Sequence, residues 1–169
     1  MSDQPAIDAR LVDLSPQQTA AVRVRRPMST VDVGALMDDA MSRLAARLGQ
    51  AGATPVGPPY ARYHAWGGEL ADVEIGFPLA GRIDGLSALA DSPEGEVGAS
   101  ELPGGRAAQT VHRGPYPTLG DAYSSLHDWI HAQGYDEGDG PWESYVDNPE
   151  ELADVAQLRT EITWPVPDR

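Results

Sequence analysis

Glu143 stands among six aromatic rings in the stretch Val111–Val146 (VHRGPYPTLGDAYSSLHDWIHAQGYDEGDGPWESYV): Tyr116, Tyr123, Trp129, Tyr135, Trp142 and Tyr145. A carboxylate in an aromatic cavity can do two kinds of chemistry. Loss of hydration raises its pKa, and a cationic ligand restores the charged form. Each well-placed ring then adds about 0.5–2 kcal/mol of cation–π attraction. With apolar burial, that supports micromolar binding, roughly −8 kcal/mol. The same raised pKa suits a general base. Glu143 would take a proton from water while a tyrosine hydroxyl, Tyr116 being the candidate, polarises an electrophile. The plain alternative is a solvent-facing residue on an edge strand.

Tyr116, Tyr145, Tyr63 and Tyr60 are candidate ring contacts, each equally able to be ordinary half-buried packing. Trp142 is a further candidate, although strand alternation points it away from the face of Glu143. Glu74 and Glu161 are expected to face solvent and pair with arginine, the alternative being a second pocket acid. His127 and His131, four apart on a helix, offer two metal ligands. No third ligand shows at a sensible spacing and their helix face is polar, so neither a metal nor a cofactor is expected. His112 with Glu143 suggests a proton relay, against the commoner case of a solvated or hydrogen-bonded strand-end histidine. Pro103-Gly104-Gly105 reads as a hairpin turn rather than a phosphate loop.

Elements that would position these groups follow from patterning. Leu11–Leu14 reads as a short strand, and Thr19–Arg25 (TAAVRVR) alternates as a longer one. Ser29 or Thr30 can cap a helix with Asp32 in its first turn. Val33, Leu36, Met37, Ala40, Met41, Leu44 and Leu48 recur at spacings of three and four, and Gly49 and Gly52 supply the stop. Tyr60–Trp66 and Val73–Leu79 are strands joined by a Gly67-Gly68 turn. A second helix starts with Thr118 and Asp121 in a capping-box-like arrangement and buries Leu119, Ala122, Tyr123, Leu126 and Ile130. Asp147–Asp154 is an acidic loop before the last strand.

The chain repeats itself. Pro16, Ala20, Ala21, Val24 and Arg26 match Pro103, Ala107, Ala108, Val111 and Arg113. Helix positions Met41, Leu44 and Leu48 match Tyr123, Leu126 and Ile130. Gly52, Pro59 and Tyr63 match Gly134, Pro141 and Tyr145, and Glu74, Ile75 and Pro78 match Glu161, Ile162 and Pro165. So many matches in step with strand, helix and turn signals indicate two copies of a strand–helix–strand–strand unit. The expected fold is a single α+β domain over 1–169 of tandem βαββ repeats (about 9–80 and 96–167, with a connector at 80–95). The repeats would be related by a pseudo-twofold axis, with two helices against antiparallel sheet and a ligand cleft between them.

Composition narrows the function. The formal net charge of −14 opposes direct nucleic-acid binding, which needs clustered positive charge. It suits solubility and raises the local concentration of cationic ligands. The absence of cysteine excludes disulfides and thiolate metal sites. No signal-peptide pattern or membrane-length apolar run is present, so a cytoplasmic protein without a membrane partner is expected.

The segments ELPGGRAAQTVHRGPY, LHDWIHAQGY, GPWESYVDNP and RTEITWPV, in this order, resemble the GyrI-like small-molecule-binding family. That effector-binding domain also forms the C-terminus of multidrug-sensing regulators such as BmrR and is related to SOUL haem-binding proteins. The likeness runs from about Ala9 to Pro167. It implies two βαββ units around a ligand cleft, with Glu143 of the Pro-x-Glu-x-Tyr stretch at the position that meets cationic drugs. Tyr116, in Gly-Pro-Tyr, would line the same pocket. No helix-turn-helix or long coiled coil precedes the domain, so a stand-alone binder is expected, sequestering amphipathic cationic or planar aromatic compounds. Some stand-alone members hydrolyse cyclopropane-bearing alkylating toxins, and Trp142-Glu143 is compatible with that subgroup. Inhibition of DNA gyrase, as in the namesake, is the weakest of the three expectations, because no segment marks a protein-contact surface.

Overall fold

A computed structural model describes residues 8–66, 68–147 and 151–167. Gly67 of the expected turn and residues 148–150 of the acidic loop lie outside these. The fold is α+β, with eight antiparallel strands and two α-helices among the described residues. The chain forms two compact units, one made of Ser15–Gly104 and the other of everything from Gly105 onward together with the first strand.

In the Ser15–Gly104 unit, β2 (Gln17–Pro27), α1 (Val33–Ala51), β3 (Tyr60–Ala65), β4 (Leu70–Pro78) and β5 (Gly98–Leu102) form a sheet in the order β3-β4-β2-β5. Ala40, Leu44 and Leu48 are the fully buried part of the α1 stripe, and α1 packs on β2 and β4. Its cap is Asp32, whose carboxylate accepts from Ala35 N at 3.1 Å, not Ser29 or Thr30. Met28–Thr30 forms a separate 3-10 turn, which leaves Asp32 as the first side chain able to reach the helix amides. Gly52 ends the helix with φ 65°, while Gly49 stays inside it.

The other unit holds β1 (Ala9–Leu14), β6 (Gly105–Arg113), α2 (Leu119–Ala132), β7 (Trp142–Tyr145) and β8 (Arg159–Pro165) in the order β1-β6-β8-β7. Its core joins Leu119, Leu126 and Ile130 of α2 to Ala108 of β6, Ile162 of β8 and Val166. Thr118 precedes α2 without capping it. Its hydroxyl donates to Pro115 O and meets His112 Nε2, both at 2.8 Å, so it fastens the turn before the helix.

The order β2-α1-β3-β4 thus recurs as β6-α2-β7-β8. The two additional strands exchange places: β1 precedes the first copy but pairs with β6 of the second, and β5 precedes the second but pairs with β2 of the first. Pro103-Gly104-Gly105 is consequently no hairpin. Its flanking strands take partners elsewhere, and the chain passes there from one unit to the other.

Candidate functional site: a buried carboxylate held by tyrosines

β7 pairs with β8 so that Glu143 lies opposite Ile162 and Tyr145 opposite Thr160. With a strand period of two, Glu143 and Tyr145 share the face of Ile162, which α2 covers. Glu143 is therefore buried, 4% exposed. Tyr123, from the middle of α2, donates to Oε2 at 2.7 Å, and Tyr145 donates to Oε1 at 3.0 Å. Phenol donors to both oxygens replace part of the hydration lost on burial.

Packing fixes these donors in turn. The Tyr123 ring stands edge-on to Trp164 (centroids 5.9 Å apart), whose indole N–H donates to Gly138 O at 2.9 Å. Tyr145 stands edge-on to Tyr116, with centroids 5.7 Å apart and planes at 76°. Tyr116 begins a 3-10 turn after Gly114, which has φ 130° and donates its N–H to Leu158 O at 2.8 Å. Tyr116 is 39% exposed and is the solvent-side member of the cluster. Burial pushes its phenol pKa up, and the nearby charges of Glu143 and Asp147 push it further, so Tyr116 remains a neutral donor at physiological pH.

Tyr116, Tyr145 and Glu143 are thus brought together. Trp142 is buried, but its register partner is Thr163, and alternation sets it on the face of β7 opposite Glu143. His112 is bonded into the turn before α2, to Pro115 O and the Thr118 hydroxyl. Tyr123 was legible as one of the rings around Glu143 and as a member of the α2 core stripe, but not as a donor to the carboxylate. Its hydroxyl is the feature that the stripe conceals.

A second buried acid lies in the Ser15–Gly104 unit. Glu74 is 2% exposed rather than solvent-facing. Tyr60 donates to its Oε2 at 2.6 Å, Ser100 to the same oxygen at 3.1 Å, and His64 Nε2 lies 3.0 Å from Oε1. Burial pushes the Glu74 carboxyl up, but hydrogen bonds from His64 and Tyr60 and the His64 charge outweigh it, leaving the pKa below its ordinary value. Tyr60 is fully buried and wired to Glu74 and Thr19, so it is an internal strut rather than an open wall. Burial and the Glu74 charge hold its phenol pKa well above normal. Tyr63 is half-buried and edge-on to Trp66 at 5.3 Å. Glu161, the repeat partner of Glu74, is half-buried and stands opposite Val111 and Ser144.

The helical histidines also gain the third group that spacing did not show. His131 Nε2 lies 2.6 Å from Glu137 Oε2, and His127 Nε2 lies 3.2 Å from Glu137 Oε1. The sequence signal was a His-x3-His pair followed by a glycine stop, after which the chain doubles back.

Residues 8–167 match the GyrI-like family, described as a GyrI-like small molecule binding domain. The chain belongs to this family. Among solved structures of the same fold, the DNA complex of EcmrR superposes with a TM-score of 0.76 at 24% identity over 97% of this chain, which spans 59% of that protein's length. The C-terminal domain of EcmrR alone gives 0.69 at 24% identity, covering 96% of this chain and 99% of that one. A hydrolase from Listeria innocua gives 0.65 at 14% identity, covering 98% and 94%. SAV2435 bound to tetraphenylphosphonium gives 0.58 at 14% identity, covering 95% and 94%. No curated protein matches significantly. At these identities the likeness shows the fold alone, while the family match makes this a small-molecule-binding domain. Among the described residues, no helix is long and apolar enough to cross a membrane.

Proposed function

We propose that this GyrI-like domain binds amphipathic cationic or planar aromatic compounds, sequestering them, with Glu143 as the polar anchor and Tyr116 and Tyr145 as ring contacts. The observation that carries the reading is the buried Glu143 carboxylate bonded through both oxygens to tyrosine hydroxyls. A carboxylate set among aromatic rings attracts a lipophilic cation by charge and by cation–π contact together. Tyr116 leads from solvent toward that charge through its edge contact with Tyr145. The net charge of −14 raises the cation concentration near the surface. A further support is that SAV2435, of the same fold, holds tetraphenylphosphonium, a lipophilic cation. Fluorescence titration with a panel of cationic, neutral and anionic aromatic dyes tests the reading. Saturable binding at micromolar concentration is expected for the cations, and none for the anions. A panel in which no cation saturates, or in which anions bind as well, would sink it.

A second reading is hydrolysis of cyclopropane-bearing electrophiles, favoured by phenol donors and a carboxylate sharing one cluster. Glu143 would take a proton from water as the water oxygen bonds to a ring carbon. The bond from that carbon to the ring carbon joined to the conjugated acceptor breaks, and its electron pair moves into the acceptor, which a tyrosine hydroxyl such as that of Tyr116 protonates. Mass spectrometry decides: repeated conversion to a product heavier by one water, abolished in Glu143→Gln, supports the enzyme, and an unchanged substrate removes it.

A further inference from the structure

We propose a divalent transition-metal site at the C-terminal end of α2, with His127, His131 and Glu137 as its ligands. The two histidines are four residues apart on one helix face, with ring centroids 4.5 Å apart. Both turn Nε2 toward the same carboxylate, at 3.2 Å and 2.6 Å. One ligand atom from each of the three residues can be chosen so that all lie within 4.8 Å of one another. Metal–ligand bonds of about 2.0–2.2 Å set two ligands of a tetrahedral ion about 3.3 Å apart, so side-chain rotation alone completes the site.

The surroundings point the same way independently. The other ring nitrogen of each histidine faces a further carboxylate. His127 Nδ1 is 3.5 Å from Asp128 Oδ1, and His131 Nδ1 is 3.8 Å from Asp136 Oδ1. When a metal takes Nε2, the ring proton moves to Nδ1, and these carboxylates lie near enough to accept it after a small side-chain shift, as the outer partners of a metal-bound imidazole do. The returning loop is held in place rather than loose. Gly134, with φ 85°, permits the reversal, and Tyr135 N bonds back to Ile130 O at 3.1 Å. Gly138, next to Glu137, donates to Pro165 O at 2.6 Å and accepts from the Trp164 indole at 2.9 Å. A Cβ on Gly138 would lie 2.8 Å from Pro165 O, so only glycine lets the loop sit this close.

Two imidazoles and one carboxylate suit zinc, cobalt, nickel or copper(II) rather than magnesium or calcium, which favour all-oxygen sets. Three protein ligands leave a coordination position for water or an external ligand. His127 also borders an open depression of about 330 Å³, lined with Tyr123, Ser124, Asp128 and Trp164, which gives such a ligand room.

The test uses untagged, chelator-stripped full-length protein titrated with Co²⁺ and then Zn²⁺. The visible d–d band of four-coordinate Co²⁺ is expected to saturate at one equivalent and to bleach as Zn²⁺ displaces it. His131→Ala and Glu137→Gln, both at partly exposed positions, should each weaken Co²⁺ binding by at least about tenfold. His112→Ala, outside the cluster, should leave it unchanged. The site is overturned if no band develops, if only six-coordinate Co²⁺ appears, or if His131→Ala titrates like the wild type.

Discussion

Tyr123 and Glu143, twenty residues apart, meet through a 2.7 Å hydrogen bond that joins the middle of α2 to β7. The bond serves packing and electrostatics together: it fixes the helix on its sheet and spares a buried charge the cost of lost hydration. Tyr123→Phe keeps the ring on Trp164 and removes only the donor. A hydrogen bond to a charged group contributes about 1.5–3 kcal/mol, so a loss of that size is expected in urea unfolding at neutral pH. Equal midpoints for variant and wild type would show that the bond contributes nothing net.

Glu74 makes stability acid-sensitive. Burial pushes its pKa up, but bonds from His64 and Tyr60 bring it below the ordinary value. Its stabilisation is therefore complete above the unfolded-state pKa, about 4.3, and is lost as pH falls through the lower folded-state value. Asp72 acts with the same sign, since burial raises its pKa while hydrogen bonds from Arg23 and Arg25 lower it more. Denaturant midpoints should be level down to about pH 5 and drop below it. Glu74→Gln should start lower at pH 7 and show a shallower acid limb. An acid limb unchanged in the variant would place the effect elsewhere.

Gly76 is the clearance through which Tyr60 reaches Glu74. The two residues pair across β3 and β4, and a Cβ at 76 would lie 2.5 Å from Ala20 O, 2.8 Å from Ala21 Cβ and 2.9 Å from the Tyr60 hydroxyl. Since two of the three neighbours belong to the β2 backbone or its short side chain, Gly76→Ala must shift the sheet. Overpacking of this kind costs about 1–3 kcal/mol, and thermal melting should show the loss. A melting temperature within error of the wild type would mean that β4 has slack at this point.

Among the described residues, the buried Thr160 hydroxyl has no hydrogen-bond partner; Thr160 stands opposite Tyr145 and His112 in the sheet. Thr160→Val keeps the shape and removes the unmet polar group, so stability should hold or rise by about 1 kcal/mol. A clear loss in calorimetry would reveal a partner for that hydroxyl.

Local order was legible in the residues, and long-range pairing was not. The α1 stripe ending at Gly52, the α2 stripe and the doubled strand–helix–strand–strand order all express periods contained in short windows. Strand partners do not. ARLVDL reads as a strand beside any neighbour, and nothing within it states that it joins β6. Alternation also failed at Glu74, because β4 is buried on both faces from Ala71 to Gly76 and a period of two no longer separates inside from outside. Around Glu143 the rings Tyr116 and Tyr145 were legible from motif and alternation. The donor role of Tyr123 was hidden by its place in the helix core, and Glu137 by a chain reversal that sequence spacing does not express.

The anchoring role of Glu143 is tested most directly by calorimetric titration of tetraphenylphosphonium into the wild type and Glu143→Gln, with circular dichroism to confirm that both are folded. Removing the charge while keeping the shape should weaken binding by at least about tenfold, or 1.4 kcal/mol. The same dissociation constant for both proteins would contradict the assignment.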